Sequence, residues 1–487
     1  MLAFEHQFAT LPEPLWVACQ PTPVEAPRLI AFNQPLADAL GLGKAPDDAS
    51  LAEWFSGNAL PHGAEPKALG YAGHQFGNFV PQLGDGRALM LGEVIDLNGK
   101  RRDIQLKGSG RTPFSRGGDG RSPLGPVLRE YLVSEAMAAM GVPTTRALAA
   151  VASGERVIRQ MAEPGAVLTR VAASHVRVGT FQFVAARQDH TSLKALADFV
   201  IDRHYPEAQQ AKQPYLALLE AVLQGQAQLV AKWMGVGFIH GVMNTDNMSI
   251  AGETIDYGPC AFMEQFDPQK VYSSIDQGKR YAFSNQPVIA QWNLARFAEC
   301  LLPLLEGEQE DRVSQLTEIL RSFDGVFAAE QQRIHADKLG LEAEDGQAGQ
   351  LMAALEAQMQ QGRMDMTATF DALTQLARAP SDTSCQALLA LSATPEALAP
   401  WVDEWQAQQV ASQNAQRWQA MREANPLIIP RNHRVEEAIQ AANDGDFAPF
   451  YRLLAAVTTP YTDTTDTREL GQPANEQQQV LRTFCGT

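Results

Sequence analysis

Residues 237–258 of this 487-residue chain carry the side chains best suited to chemistry. Gly237-Phe238-Ile239-His240-Gly241-Val242-Met243-Asn244-Thr245-Asp246-Asn247 reads as a loop crowded with polar groups. A strand of about three residues follows, then Ile255-Asp256-Tyr257-Gly258. Hard divalent cations take oxygen ligands and neutralise charge between phosphates. Asn247 and Asp256 are the right types to share one such ion. Asp246, beside the first of them, could accept a proton or position a nucleophile. The same residues would also suit a polar loop beside an Asx turn.

The spacing sharpens the reading. Protein kinases carry His-Arg-Asp-x-x-x-x-Asn followed by Asp-Phe-Gly. Here His240 and Asn247 are seven apart, as in that pattern, and Asp256-Tyr257-Gly258 stands where Asp-Phe-Gly would. The position of the kinase base falls on Val242, which cannot take a proton. The metal-holding half of a phosphoryl-transfer site is therefore expected without the usual base.

Such a site needs elements that hold phosphates. Pro81-Gln82-Leu83-Gly84-Asp85-Gly86-Arg87 reads as a turn, Ala88 to Ile95 as a strand, Asn98-Gly99 as a hairpin signal and Asp103 to Lys107 as the return strand. Glycines let backbone amides approach an anion closely, although a Gly84-Asp85-Gly86 triplet also makes a plain tight turn. Lys107 ends the return strand about twenty residues beyond those glycines, the layout of a nucleotide-binding hairpin with a phosphate lysine. A solvated strand-end lysine reads the same way.

Residues 108–125, with Arg111, Arg116 and Arg121 among glycines, predict a mobile cationic loop; arginine forks suit phosphate oxygens. Pro126 to Met140 predicts a helix stopped by Gly141. Glu130 on its semi-apolar stripe could pair with Lys107, but Glu135 lies on a neighbouring stripe, and helical spacing does not choose between them. Val157-Ile158-Arg159 and Ala166 to Val171 read as strands joined at Pro164-Gly165. Arg170 and Arg177, flanked by apolar residues, suit buried anion contacts or plain salt bridges equally.

The totals set bounds. The chain is 45% apolar, enough for a sizeable core, and its net charge of −17 argues against nucleic-acid binding through a general basic surface. No apolar run is long enough for a transmembrane helix, and the start shows no secretory signal. The five cysteines, Cys19, Cys260, Cys300, Cys385 and Cys485, are too scattered for a metal knuckle or a disulfide framework. A cytoplasmic location is expected. Cys485, two residues from the end, reads as a redox-active tail thiol or simply a stray one. Helices are expected over 34–42, 193–203, 215–234 and 292–305, then over 311–323, 326–339, 348–361, 367–378, 434–442 and 446–457. No internal repeat is present. The pattern predicts an α+β protein with four parts: an N-terminal arm with flanking elements (1–79), a β-rich lobe (80–172), a helical lobe carrying the metal motif (173–305) and a helical extension (306–487).

Together, Tyr71 to Gly77, Gln82 to Arg87, Leu106 to Pro113, the Ser115–Arg121 loop and His240 to Asn247 with Asp256-Tyr257-Gly258 resemble the selenoprotein O family, whose bacterial branch carries ordinary cysteine. The resemblance covers nearly the whole chain. It implies a protein-kinase-like two-lobe fold and transfer of AMP from ATP, or of UMP from UTP in bacterial members, to protein Ser, Thr or Tyr hydroxyls, with Mg²⁺ or Mn²⁺. It further implies that Gly84, Gly86 and Arg87 contact nucleotide and that Lys107, paired with Glu130, holds phosphates. Asp119, Gly120, Arg170 and Arg177 would complete the nucleotide pocket, Asn247 and Asp256 would bind the metal, and Asp246 would accept the proton. The nucleotide would lie reversed relative to a kinase, its terminal phosphates inside. Some bacterial relatives join a cysteine after the metal Asp to one near the C-terminus. At the aligned position this chain has Val271-Tyr272, leaving Cys260 with Cys485 as the obvious substitute.

Protein acceptors, no nucleic acid, no membrane and a monomer are the expected partners and state. Two other functions suit the residues. One is phosphoryl transfer to a small molecule with Asp246 as base. The other is a nucleotide-binding pseudokinase that docks partners through its acidic helical extension.

Overall fold

A computed structural model describes residues 2–43, 46–343, 346–411 and 416–484. Cys485 lies outside the described residues. In chain order the strands are β1 (Trp16–Ala18), β2 (Arg28–Phe32), β3 (Lys67–Leu69), β4 (Gly73–Gln75), β5 (Asn78–Val80), β6 (Ala88–Ile95), β7 (Arg101–Lys107), β8 (Ser122–Pro123), β9 (Arg146–Ile158), β10 (Ala162–Ala172), β11 (Phe238–Ile239) and β12 (Ala261–Phe262). An antiparallel sheet runs β1-β3-β6-β7-β10-β9-β2, with β8 on β10; β4-β5 and β11-β12 form separate two-stranded pairs.

Strand alternation gives the sheet two faces. Ile104 and Leu106 of β7 and Val167 and Val171 of β10 point to one side. There they pack with Leu51 and Phe55 of α2 (Asp48–Ser56), which follows the short α1 (Gln34–Ala39). Leu168 of β10 points to the other side, against Val127, Leu128 and Tyr131 of α3 (Leu124–Ala139). After the sheet come α4 (Val178–Ala185), α5 (His190–His204) and α6 (Pro214–Gly235), whose end delivers the chain to β11 and the polar loop. The rest is helical: α7 (Gln286–Leu301), α8 (Gln309–Arg321), α9 (Phe323–Leu339), α10 (Gln347–Gln361), α11 (Met366–Arg378), α12 (Asp382–Leu389), α13 (Pro395–Ala411), α14 (Arg417–Ala424), α15 (Asn432–Asn443), α16 (Ala448–Val457) and α17 (Thr465–Leu470). The protein is thus a mixed α+β chain with one large antiparallel sheet and a helical C-terminal part. Among the described residues, no helix is long and apolar enough to cross a membrane.

Three expectations are corrected. The β9–β10 hairpin turns at 159–161, where Arg159 N–H donates to Met161 O, and not at Pro164-Gly165. Those two residues sit inside β10 at a register shift, where a proline's missing N–H is tolerated. The strand expected between Asn247 and Asp256 is reduced to isolated bridges, Ser249 with Arg177 and Thr254 with Thr144. The cationic loop is tied down: Asp119 bonds both terminal nitrogens of Arg159 at 2.8 and 3.0 Å, and Arg121 reaches Glu155.

Candidate active site

Asp103, Gln105 and Lys107 lie on the polar face of β7, two residues apart each, so they face α3 and the loops beyond while Ile104 and Leu106 enter the core. Strand β10 places Ala172, Arg170 and Leu168 directly opposite them, and opposite residues share a face. Arg170 therefore reaches the same space as Lys107.

Five charged side chains meet there. Lys107 Nζ donates to Glu130 Oε2 at 2.7 Å and to Asp256 Oδ1 at 2.9 Å. Arg170 donates through Nε to Glu130 Oε1 at 2.9 Å and through Nη2 to Asp256 Oδ1 at 2.6 Å. Arg177, which precedes α4, adds a bond from Nη1 to Asp256 Oδ2 at 2.8 Å, and its guanidinium lies over the Tyr71 ring at 4.5 Å. Glu130, one of the two helix candidates, makes this pair; Glu135 instead binds Arg146. Burial works against ionising Asp256, but Arg170, Lys107 and Arg177 hold its carboxyl well below the usual carboxylate range. The backbone of Asp256 is left-handed, φ 65°, a conformation that costs a non-glycine residue about 1–3 kcal/mol and clusters at functional sites.

Asp246 and Asn247 sit on a short 3-10 turn, Thr245–Asn247. The β4–β5 hairpin is docked on this turn. His74 N–H donates to Thr245 Oγ1 at 2.7 Å and Phe76 N–H to Asn244 Oδ1 at 3.0 Å. Gly73 is obligatory there, because a Cβ would stand 2.5 Å from Asp246 Oδ1. Among the described residues that oxygen is buried without a hydrogen-bond partner, while Gln75 Nε2 approaches Oδ2 at 3.5 Å. Burial pushes the Asp246 carboxyl up to about 6, with Arg177 pulling the other way. A carboxylate so tuned is a suitable proton acceptor near neutral pH. His240, fully buried, braces the loop through Ile255 O at 3.0 Å and does not line the cavity.

These groups open onto one cavity of about 660 Å³. Gly84, Gly86 and Arg87 form one wall, and Gly84 packs so closely on Phe114 that a Cβ would overlap its ring. Asp119 and Gly120 lie on the same cavity, as do Val242, Asp246, Asn247 and Asp256. Seven arginine and lysine side chains line it against four aspartates, an excess of positive charge in a chain of net −17. Such a cavity selects a polyanion. The donors also suit a hard cation. Asn247 Nδ2 donates to Val242 O at 3.0 Å, leaving its amide oxygen available. The unpartnered Asp246 oxygen is close by in sequence, and Asp256 offers oxygens in competition with its three cations. Among the described residues there is no cluster of three His, Cys, Asp or Glu side chains for a metal. A divalent ion here would complete its shell with phosphate oxygens and water, as Mg²⁺ does.

A family model described as protein adenylyltransferase SelO matches residues 1–458. The chain belongs to the SelO family. It is 54% identical over 489 residues to the protein nucleotidyltransferase YdiU of Agrobacterium fabrum, covering 100% of both chains. It is 56% identical over 488 residues to the YdiU of Rhodopseudomonas palustris strain BisB5 and 53% over 487 residues to that of Rhizobium meliloti, covering 99% of both chains in each case.

Three cavity residues of this SelO-family chain had no role assigned from sequence. Tyr71 supports Arg177, Gln75 approaches Asp246, and Arg159 fixes Asp119. Tyr71 and Gln75 fall in the stretch Tyr71 to Gly77, one of those on which the family resemblance rests. Arg159 carried no signal, because its role depends on a hairpin tip that only the fold brings over the glycine loop.

Proposed function

We propose that this chain is a protein nucleotidyltransferase that moves AMP from ATP to Ser, Thr or Tyr hydroxyls of protein substrates and releases pyrophosphate, with UTP as an alternative donor of UMP. The observation that carries the reading is the pairing, in one cavity, of a cationic cage around Asp256 with the buried, unpartnered oxygen of Asp246, where a kinase-type base position is filled by Val242.

On this reading residues 80–172 and 173–305 are the two lobes of a protein-kinase-like fold, 1–79 an arm and 306–487 an extension. The Lys107–Glu130 ion pair and Asp256 at the same site support that assignment, as they match the kinase Lys–Glu pair and metal aspartate. One chain supplies the whole site, which supports a monomer as the active unit, and the scattered cysteines support a cytoplasmic setting. Lys107, Arg170 and Arg177 grip the β- and γ-phosphates, where negative charge gathers as pyrophosphate leaves. Gly84, Gly86 and Arg87, with Asp119 and Gly120, enclose the nucleotide. Asp246 takes the proton of the attacking hydroxyl. Asn247 and Asp256 would hold Mg²⁺ or Mn²⁺, and the ion, when bound, supplies charge neutralisation at the phosphoryl oxygens.

ATP labelled at the α- or the γ-phosphate tests this. Label from the α position is expected in protein. Label from γ alone would make the chain a phosphotransferase, and binding without transfer of either label would make it a nucleotide-binding docking module.

A further inference from the structure

The helical C-terminal part holds a second cavity, about 190 Å³, between α11, α14 and the segment 461–468. Three arginines converge on it: Arg378, Arg422 and Arg468. Two are committed. Arg468 grips both oxygens of Asp463 at 2.8 Å and reaches Asp371 at 2.6 Å. Arg422 bonds Asp371 and the Asn425 carbonyl. Arg378 makes no hydrogen bond or ion pair among the described residues. Its guanidinium instead lies over the Trp418 ring at 5.0 Å, which orients the fork at a modest gain. The indole N–H of Trp418 has no acceptor among the described residues either, and Tyr461 supplies a second aromatic wall.

Charge and hydrogen bonding point the same way. Three guanidinium groups share two carboxylates, and both oxygens of Asp463 are already engaged. Donors are left over at Arg378 and Trp418, and what the pocket lacks is an acceptor carrying negative charge. Its volume is below the about 300–1,000 Å³ of sites that enclose drug-sized ligands. It is therefore suited to one anionic group and not to a whole nucleotide.

We infer that this pocket is an anion subsite that takes a single carboxylate or phosphate group, bound by the fork of Arg378 against the Trp418 face. A bidentate guanidinium contact supplies both affinity and orientation. The group comes either on a peptide, as a Glu or Asp side chain, or as a small free anion. The overall charge of −17 gives no long-range attraction for either, so recognition is short-range.

Calorimetric titrations of the full chain, with the central cavity saturated by a non-hydrolysable ATP analogue, test the inference. Inorganic phosphate is one titrant and a capped glutamate pentapeptide the other. At least one is expected to bind. Arg378→Ala is expected to weaken that binding roughly tenfold, the size of one charge-assisted contact, with Arg378→Lys in between. The melting temperature should move little, because Arg378 is exposed and its stack on Trp418 is a modest contact. Binding of the peptide alone assigns the site to a protein side chain, and binding of phosphate alone assigns it to a free anion. If neither titrant binds at millimolar concentration, or if Arg378→Ala and Trp418→Ala bind as the parent does, the inference is overturned.

Discussion

Two ion clusters grow from the same face of β7, one at each end, and they differ in what they leave open. At Asp103 nothing faces the cavity. Its carboxylate accepts from the His175 backbone at 2.8 Å and from Arg203, and the side chains of Asp103 and His175 are both fully buried. Glu93, beside it, accepts from the Phe8 backbone at 2.7 Å and so pins the N-terminal arm. At Lys107 the ions are just as tightly paired, but Asp256 keeps 21% of its side chain exposed to the cavity and holds a left-handed backbone. Buried charge alone thus does not mark a functional site. What marks it here is charge held against strain and turned toward a space with more cations than carboxylates.

Breaking each cluster should separate the two roles. Asp103→Asn removes the nearer of the two buried carboxylates that face Arg203, leaving Glu93 at 3.6 Å, and is expected to cost about 3 kcal/mol of folding stability, read by urea denaturation, while turnover per folded molecule stays unchanged. Arg203 and His175 hold the Asp103 carboxyl below its ordinary range against the cost of burial. Its contribution is therefore complete above the unfolded value of ~3.9 and is lost as pH falls through the lower folded value. The stability gap between parent and variant should close below about pH 4.

Asp256→Ala should act on the chemistry of the molecules that do fold. Transfer of α-label per folded molecule is expected to fall by about 10²–10³-fold or more, beside a lower urea midpoint because the buried Arg177 loses its carboxylate; full activity per folded molecule would remove Asp256 from the site. Lys107→Ala should weaken nucleotide binding by about 1.5–3 kcal/mol, the range of a hydrogen bond to a charged group. Unchanged nucleotide affinity in a binding titration would place Lys107 on the structural side of the comparison.

The smallest effect concerns the order of binding. All three cations on Asp256 are also the groups proposed to grip phosphates, so a triphosphate would draw them off the carboxylate. Mn²⁺ affinity, read by electron paramagnetic resonance, is expected to rise roughly five- to 150-fold when nucleotide is present. Equal affinity in both states would mean that Asp256 is not held in reserve by its cations.

The two clusters were not equally legible in the sequence. Asn247 and Asp256 stand close together in the chain, and their oxygen chemistry was readable from residue type. The Asp103 cluster left no trace, because His175 and Arg203 come from 72 and 100 residues away and an aspartate in a strand announces nothing. Glu130 and Glu135 could not be told apart by helical spacing, since the sheet decides which face of α3 meets Lys107. Strand β9 was read only at its end. Its start, Ala147 to Ala150, is weak in strand propensity but fully buried, where small side chains let elements pack closely on both faces. Helix α4 hid for a related reason: Val178 to Val184 is buried all round and shows no amphipathic period.

The left-handed aspartate has an evolutionary corollary. Glycine adopts that backbone freely, and a single base change converts an aspartate codon to a glycine codon. Asp256→Gly would therefore relax the chain at the moment it silenced the chemistry. An inert descendant lies one mutation away at this position, and what opposes the drift is selection for catalysis together with the buried Arg177 that would lose its carboxylate.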